Sequence, residues 1–256
     1  MDVSQTNPFD DLFVEEKYVL LKNYLYNYLL RKKAVEKNTM LNDLGLILEV
    51  GSGLSPMITS TDAIVYSDIS LAALQILKCR HGKGFYVVAD GMHLPFKSDV
   101  FDQTICSEVL EHLTDDRLAL KELARVMKLS SQLILTFPHR QVYFAYDDRF
   151  VNHLRRYELT EMTDRLEAVG LSSISIQKVL GPLEKVTMCF VLFCFSLVQK
   201  HKTLKPSETG HPGIMRFLAA IFQGTNLFYA GLAWLDARIM PRSLATVLLI
   251  KAEKEH

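Results

Sequence analysis

The chain has 256 residues, 49% of them hydrophobic and 23% charged, which excludes a disordered chain and fits one large domain or two small ones. Its 29 Lys plus Arg balance 29 Asp plus Glu to a formal charge of +0, so no global field draws a polyanion and nucleic acid is not expected as the primary partner. The four cysteines, Cys79, Cys106, Cys189 and Cys194, show neither the CxxC spacing of a zinc site nor the density of a secreted scaffold; reduced thiols and no metal site are expected.

The first residues, Met1-Asp2-Val3-Ser4 followed by Asp10 and Asp11, lack the basic start and apolar run of an export signal, and a cytoplasmic location is expected. After Asn7-Pro8, apolar residues Leu12, Phe13, Leu21, Leu25, Tyr28 and Leu29 recur at helical spacing. Arg31, Lys32 and Lys33 suit the negative end of that helix, which predicts an N-terminal helical lid over 1–40. From Leu46 the period changes. Short β-rich runs at Leu46–Val50, Ala63–Ser67, Gly84–Val88, Phe101–Cys106, Gln132–Phe137 and Ser172–Val179 alternate with helix candidates at Pro56–Ser60, Ser70–Arg80, Asp115–Met127 and Thr160–Val169. That alternation predicts a doubly wound α/β sheet, and a seventh strand is expected at Ala245–Ala252. The main domain is therefore placed at 41–180 plus 243–256. Residues 181–242 form a hydrophobic helical insertion before the last strand, with apolar clusters at Val186–Val198 and Ile214–Leu235. Neither cluster reaches the about 20 uninterrupted apolar residues a spanning helix needs.

The segment Glu49-Val50-Gly51-Ser52-Gly53-Leu54-Ser55-Pro56 runs from the first strand into a glycine loop, where missing side chains let backbone approach a ligand. A dinucleotide fingerprint would want glycine or alanine where Pro56 stands, which weakens that reading. Asp68 closes the second strand, where a carboxylate can accept both hydroxyls of a ribose. Further on come Asp90-Gly91-Met92-His93-Leu94-Pro95-Phe96 and then Phe101-Asp102 through Ser107-Glu108-Val109-Leu110-Glu111-His112-Leu113.

Taken in order, these three segments resemble the class I S-adenosylmethionine-dependent methyltransferases of the type 11-like group, over about Leu46 to Pro138. The group shares an ExGxGxG loop, a D-x-x-x-LPF segment and an E-V-x-EHL segment; here Ser55 replaces the third glycine and is expected to cap a helix start. The resemblance implies a seven-stranded Rossmann-like sheet and S-adenosyl-L-methionine as cofactor. It implies that Glu49, Gly51, Ser52 and Gly53 surround the methionine part, Asp68 and Ile69 the ribose, and Asp90, Gly91 and Met92 the adenine. Ser107 and Glu108 then face the cofactor and the acceptor.

A sulfonium methyl is already activated, so such an enzyme needs mainly to align an acceptor and exclude water. For a hydroxyl acceptor, His112, His139 and His153 are the candidate bases. His153-x-Arg155-x-Tyr157 resembles an element of the same group, which implies substrate contact by Arg155 and Tyr157, with Tyr146 on the loop before them; the rival reading is an arginine pairing with Asp147 or Asp148 to pin that loop. The insertion is read as a cap over the acceptor, packed on the domain or on a second subunit. The alternative is a peripheral contact of 186–240 with the inner membrane face, through Lys200, Lys202, Lys205 and Arg216 beside Phe228, Tyr229 and Trp234. Either reading points to a small, apolar, lipid-linked or sugar acceptor, and a chemically inactive cofactor-binding scaffold is the competing class.

Overall fold

Parallel strands buried on both faces are written as unbroken apolar runs, and each such run here becomes a strand. The computed structural model describes residues 23, 25–39, 45–189 and 212–255. Its strands are β1 (Ile47–Val50), β2 (Ile64–Asp68), β3 (Phe85–Val88), β4 (Phe101–Ser107), β5 (Met127–Pro138), β6 (Leu171–Leu180) and β7 (Val247–Lys254). They form one seven-stranded sheet in the order β3-β2-β1-β4-β5-β7-β6. The first five pair in parallel; β7 runs antiparallel between β5 and β6.

The helices are α1 (Tyr26–Asn38), α2 (Leu71–His81), α3 (Asp116–Val126), α4 (Tyr146–Phe150), α5 (Leu159–Glu167), α6 (183–189) and α7 (Pro212–Ile239). Local chemistry sets their ends. Ser70 accepts the Ala73 N–H at 3.2 Å to start α2, and Gly82, at φ 69°, stops it. Asp115 accepts the Leu118 N–H at 3.0 Å to start α3. One face of the sheet, with Leu48, Phe101, Leu133, Leu135 and Phe137, buries α3 and α5 through Leu120, Leu123, Met162 and Leu166. The other, with Ile47, Ile105, Ile134 and Leu249, buries α1, α2 and α7 through Tyr26, Tyr28, Leu74, Leu77, Ala230 and Ala233.

Two expectations are corrected. Residues 56–60 form no helix: the chain from Gly51 to Ala63 is irregular, because the buried Glu49 carboxylate, rather than a helical ladder, takes the backbone N–H groups of Met57 and Ile58. Ser55 accordingly caps nothing, and its hydroxyl meets the Asn23 side chain. The N-terminal helix does not stop at its basic cluster either. It runs on to Asn38 because Arg31 and Lys32 have tertiary partners, Glu108 and the Pro56 carbonyl. The apolar positions Leu12 to Leu21 lie outside the described residues, as do Lys200, Lys202 and Lys205.

Within the insertion, α7 turns its small residues inward. Ala230, Ala233 and Ala237 are buried, and Leu227, Phe228, Trp234, Leu235 and Ile239 are exposed. Tyr229 meets Tyr26 of α1 edge to face at 4.8 Å. Among the described residues, no helix is long and apolar enough to cross a membrane.

Candidate active site

The loop after β1 is shaped by two glycines in the left-handed region, Gly51 at φ 73° and Gly53 at φ 51°. At Gly51 space forbids a side chain as well, since a Cβ would stand 2.3 Å from Cγ2 of Val109. The loop is fastened from both sides. Gly51 and Ser52 donate to the Ser67 carbonyl of β2 at 2.7 and 3.2 Å, and Gly53 donates to Oδ2 of Asp68 at 2.8 Å. Beneath it, Glu49 accepts from Met57 at 2.7 Å and Ile58 at 3.3 Å, and Tyr28 donates to the Pro56 carbonyl at 2.9 Å. Burial pushes the Glu49 carboxyl up to about 7 despite those two N–H donors.

Asp68 ends β2, its Oδ1 accepting the Ser70 N–H at 2.9 Å, and Ile69 beside it is exposed. Asp90 follows β3 in a turn where its carboxylate accepts the Met92 N–H at 2.9 Å and so presents Gly91 and Met92 on the sheet edge. At the end of β4, Ser107 shares a 2.8 Å hydrogen bond with Thr136. Glu108 adopts φ 55° and places its carboxylate 3.5 Å from Arg31 of α1. Gly51, Gly53, Asp68, Asp90 and Glu108 thus share one edge, at the carboxyl ends of the adjacent strands β3, β2, β1 and β4. Chain direction across the sheet reverses between β1 and β4, the place where open α/β sheets bind ligands. S-adenosylmethionine fits this edge: the loop offers backbone without side chains at Gly51 and Gly53, the Ser52 hydroxyl is buried with no hydrogen-bond partner, and Asp68 stands where a ribose diol would need acceptors.

Beyond β4 lies a second cluster. Glu111 is fully buried in the one-turn 3-10 helix Leu110–His112, and Nε2 of His153 approaches its Oε1 to 3.7 Å. The His112 and His153 rings meet edge to face at 4.8 Å. Nδ1 of His153 lies 2.9 Å from Oδ1 of Asp148. That carboxylate also takes Arg156 at 2.7 Å and Lys185 at 2.8 Å; against the upward pull of burial, the hydrogen bonds from His153 and Lys185 and the Arg156 charge hold it well below the usual carboxylate range.

His139 does not join the other two histidines. It is buried, Nδ1 lies 2.9 Å from the Ala245 carbonyl, and burial lowers its pKa. Arg155 and Tyr157 converge on Asp116 instead of the strand edge, at 2.9 and 2.7 Å, and Tyr157 is wholly buried. The arginine that pins the loop to Asp148 is Arg156. Tyr146 stands in solvent, 68% exposed. Asp116 and Lys185 carried no signal in the sequence, since their partners lie far along the chain.

The sheet order, the antiparallel last strand inside the edge and the glycine loop at the reversal point define a class I methyltransferase fold. Residues 48–135 match the family model of the methyltransferase domain. A demethylmenaquinone methyltransferase of Streptomyces griseus is 32% identical over 111 residues, 39% of this chain and 48% of that protein. The chain thus spans about half the length of the curated relatives it matches. Among solved structures, a chain of the complex between the Haloferax volcanii Trm112 methyltransferase activator and its methyltransferase superposes with a TM-score of 0.65 at 14% identity, over 99% of this chain and 100% of that one. A SAM-dependent methyltransferase of Thermotoga maritima gives 0.61 at 17% identity, over 96% of this chain and 97% of its own. At those identities the superpositions establish the fold.

Proposed function

We propose that the protein transfers a methyl group from S-adenosylmethionine to a small-molecule acceptor, apolar, lipid-linked or sugar. The observation that carries this reading is the run of Gly51, Gly53, Asp68, Asp90 and Glu108 along four adjacent strand ends at the point of chain reversal. The cofactor, when bound, supplies a methyl group on a positively charged sulfur. The chain's own residues bind and orient. Backbone at Gly51, Ser52 and Gly53 receives the amino-acid part, Asp68 and Ile69 the ribose, and Asp90, Gly91 and Met92 the base, with Ser107 and Glu108 on the acceptor side. Glu49 acts through the loop it holds rather than on the ligand. For a hydroxyl acceptor, the proton leaves through the cluster of Glu111, His112 and His153.

The helices α1 and α7 cap the domain around the sheet, a reading supported by their packing on each other through Tyr26 and Tyr229. The exposed Leu227, Phe228, Trp234 and Leu235 favour an apolar acceptor, as does the relative named for demethylmenaquinone. Calorimetric titration with S-adenosylmethionine, its demethylated product and NAD tests the reading. Micromolar binding of the first two without NAD is expected; no binding of either would overturn the reading.

A further inference from the structure

The cluster beyond β4, which the methyl-transfer reading uses only where the acceptor is a hydroxyl, has the donor set of a metal site. Glu111 is fully buried, and neither carboxylate oxygen has a hydrogen-bond partner. A buried carboxylate left in that state costs several kcal/mol unless it is protonated, paired or bound to a cation. Burial and the Glu108 charge oppose its ionisation, the Arg31 and Arg156 charges favour it, and two imidazoles stand beside it. One ligand atom each from Glu111, His112 and His153 lies within 4.8 Å of the others.

The tautomers are set for coordination. Nδ1 of His153 is 2.9 Å from Oδ1 of Asp148, a carboxylate also held by Arg156 and Lys185 and therefore an acceptor. The proton sits on Nδ1, and the Nε2 lone pair points to Glu111 at 3.7 Å. Nδ1 of His112 lies 3.3 Å from the Asn152 carbonyl, which also needs a donor and makes Nε2 that ring's ligand atom. Carboxylate or carbonyl behind imidazole is the outer-shell arrangement that orients metal-bound histidines. Ligands about 2.0–2.2 Å from a metal lie about 3.0–3.5 Å from one another, so a pair at the 4.8 Å limit must close by about 1.3–1.8 Å.

We propose that Glu111, His112 and His153 form a binding site for one divalent transition-metal ion, with Asp148 orienting His153. Two imidazoles and a carboxylate favour zinc, or iron or nickel, over magnesium or calcium, which prefer all-oxygen shells. Three protein ligands leave coordination positions open to water or a small oxygen ligand. The site does not rest on the methyl-transfer reading, and a metal bound there would take His112 and His153 out of the proton route described for a hydroxyl acceptor.

The test is zinc titration of the metal-stripped full chain by calorimetry, with magnesium as the comparison and elemental analysis for stoichiometry. One zinc per chain is expected, with no saturable magnesium binding. Glu111→Gln and His153→Gln should each weaken zinc at least about a hundredfold. Asp148→Asn, which removes the outer charge and with it the Arg156 and Lys185 pairs, should weaken zinc about ten- to a hundredfold in protein checked for its fold. His81→Gln, on α2, should leave zinc affinity unchanged. His112→Gln, at a half-buried position, keeps the test decisive if Glu111→Gln fails to fold. Absence of zinc binding by the wild-type chain, or full binding by His112→Gln and His153→Gln, overturns the site.

Discussion

Replacing Gly51 by alanine adds one carbon at φ 73°, 2.3 Å from Cγ2 of Val109, and so adds two separable costs. The left-handed conformation costs an L-residue about 1–2 kcal/mol. The overlap falls on a half-buried, β-branched side chain with one preferred rotamer, and overpacking of that kind costs about 1–3 kcal/mol. Gly51→Ala should therefore destabilise by about 2–5 kcal/mol. Val109→Ala alone removes two partly buried methyl groups and should cost about 1 kcal/mol. In the double variant the overlap disappears while the strained φ remains, so the two changes should cost about 1–3 kcal/mol less together than their sum. Urea unfolding of the four proteins, followed by two probes to check two-state behaviour, measures this coupling. Additivity within about 0.5 kcal/mol would refute the contact, and an undamaged Gly51→Ala would refute the strain as well.

Asp68→Asn should weaken S-adenosylmethionine and its demethylated product by about 1–3 kcal/mol while the fold survives; unchanged calorimetric affinities would remove Asp68 from the ribose. Glu49 titrates near 7 in the folded chain against an ordinary 4.5, so its favourable contribution is complete below pH 4.5 and is lost as pH rises through 7. The stability of wild type relative to Glu49→Gln should accordingly fall by on the order of 3 kcal/mol between pH 4.5 and 8, and a pH-independent difference in urea unfolding would contradict the burial argument. Asp116 is held below the usual carboxylate range by Tyr157, Arg165 and Arg155 despite burial, so its contribution is present above about pH 4 and lost as pH falls through its lowered pKa. Asp116→Asn should cost about 3 kcal/mol at neutral pH and flatten that acid limb, as read by thermal melts across pH 2 to 7.

The strands were legible because a buried parallel strand needs no partner to declare itself: Ile47, Leu48 and Val50, and Ile64 to Tyr66, form short apolar runs that are buried throughout. The glycine loop, Asp68 and the Asp90 turn were legible because each acts on its own neighbours in the chain, as Asp90 does on Met92. What escaped depends on distant partners. The helix expected at Pro56–Ser60 fails because a side chain from β1 takes its N–H groups. Arg155 and Tyr157 carry a pattern that reads as substrate contact, but Asp116, on α3, captures both. His112 and His153 could not be separated from His139 by sequence, since only the sheet brings the Ala245 carbonyl to the His139 ring. Similarly, the apolar count of α7 says how much hydrophobic surface it carries and nothing about which side faces in.

The position of β7 has a consequence for synthesis. Among the described strands, β7 is made after β6 and is the one that joins β6 to β5. A nascent chain complete through β6 therefore holds a five-stranded sheet with an open edge at β5 and a detached ribbon at β6. Closure waits until β7 has emerged. A ribosome stalled at Arg242 should display a protease-sensitive β6 beside a protected β1-to-β5 core, and emergence of β7 should protect both at once.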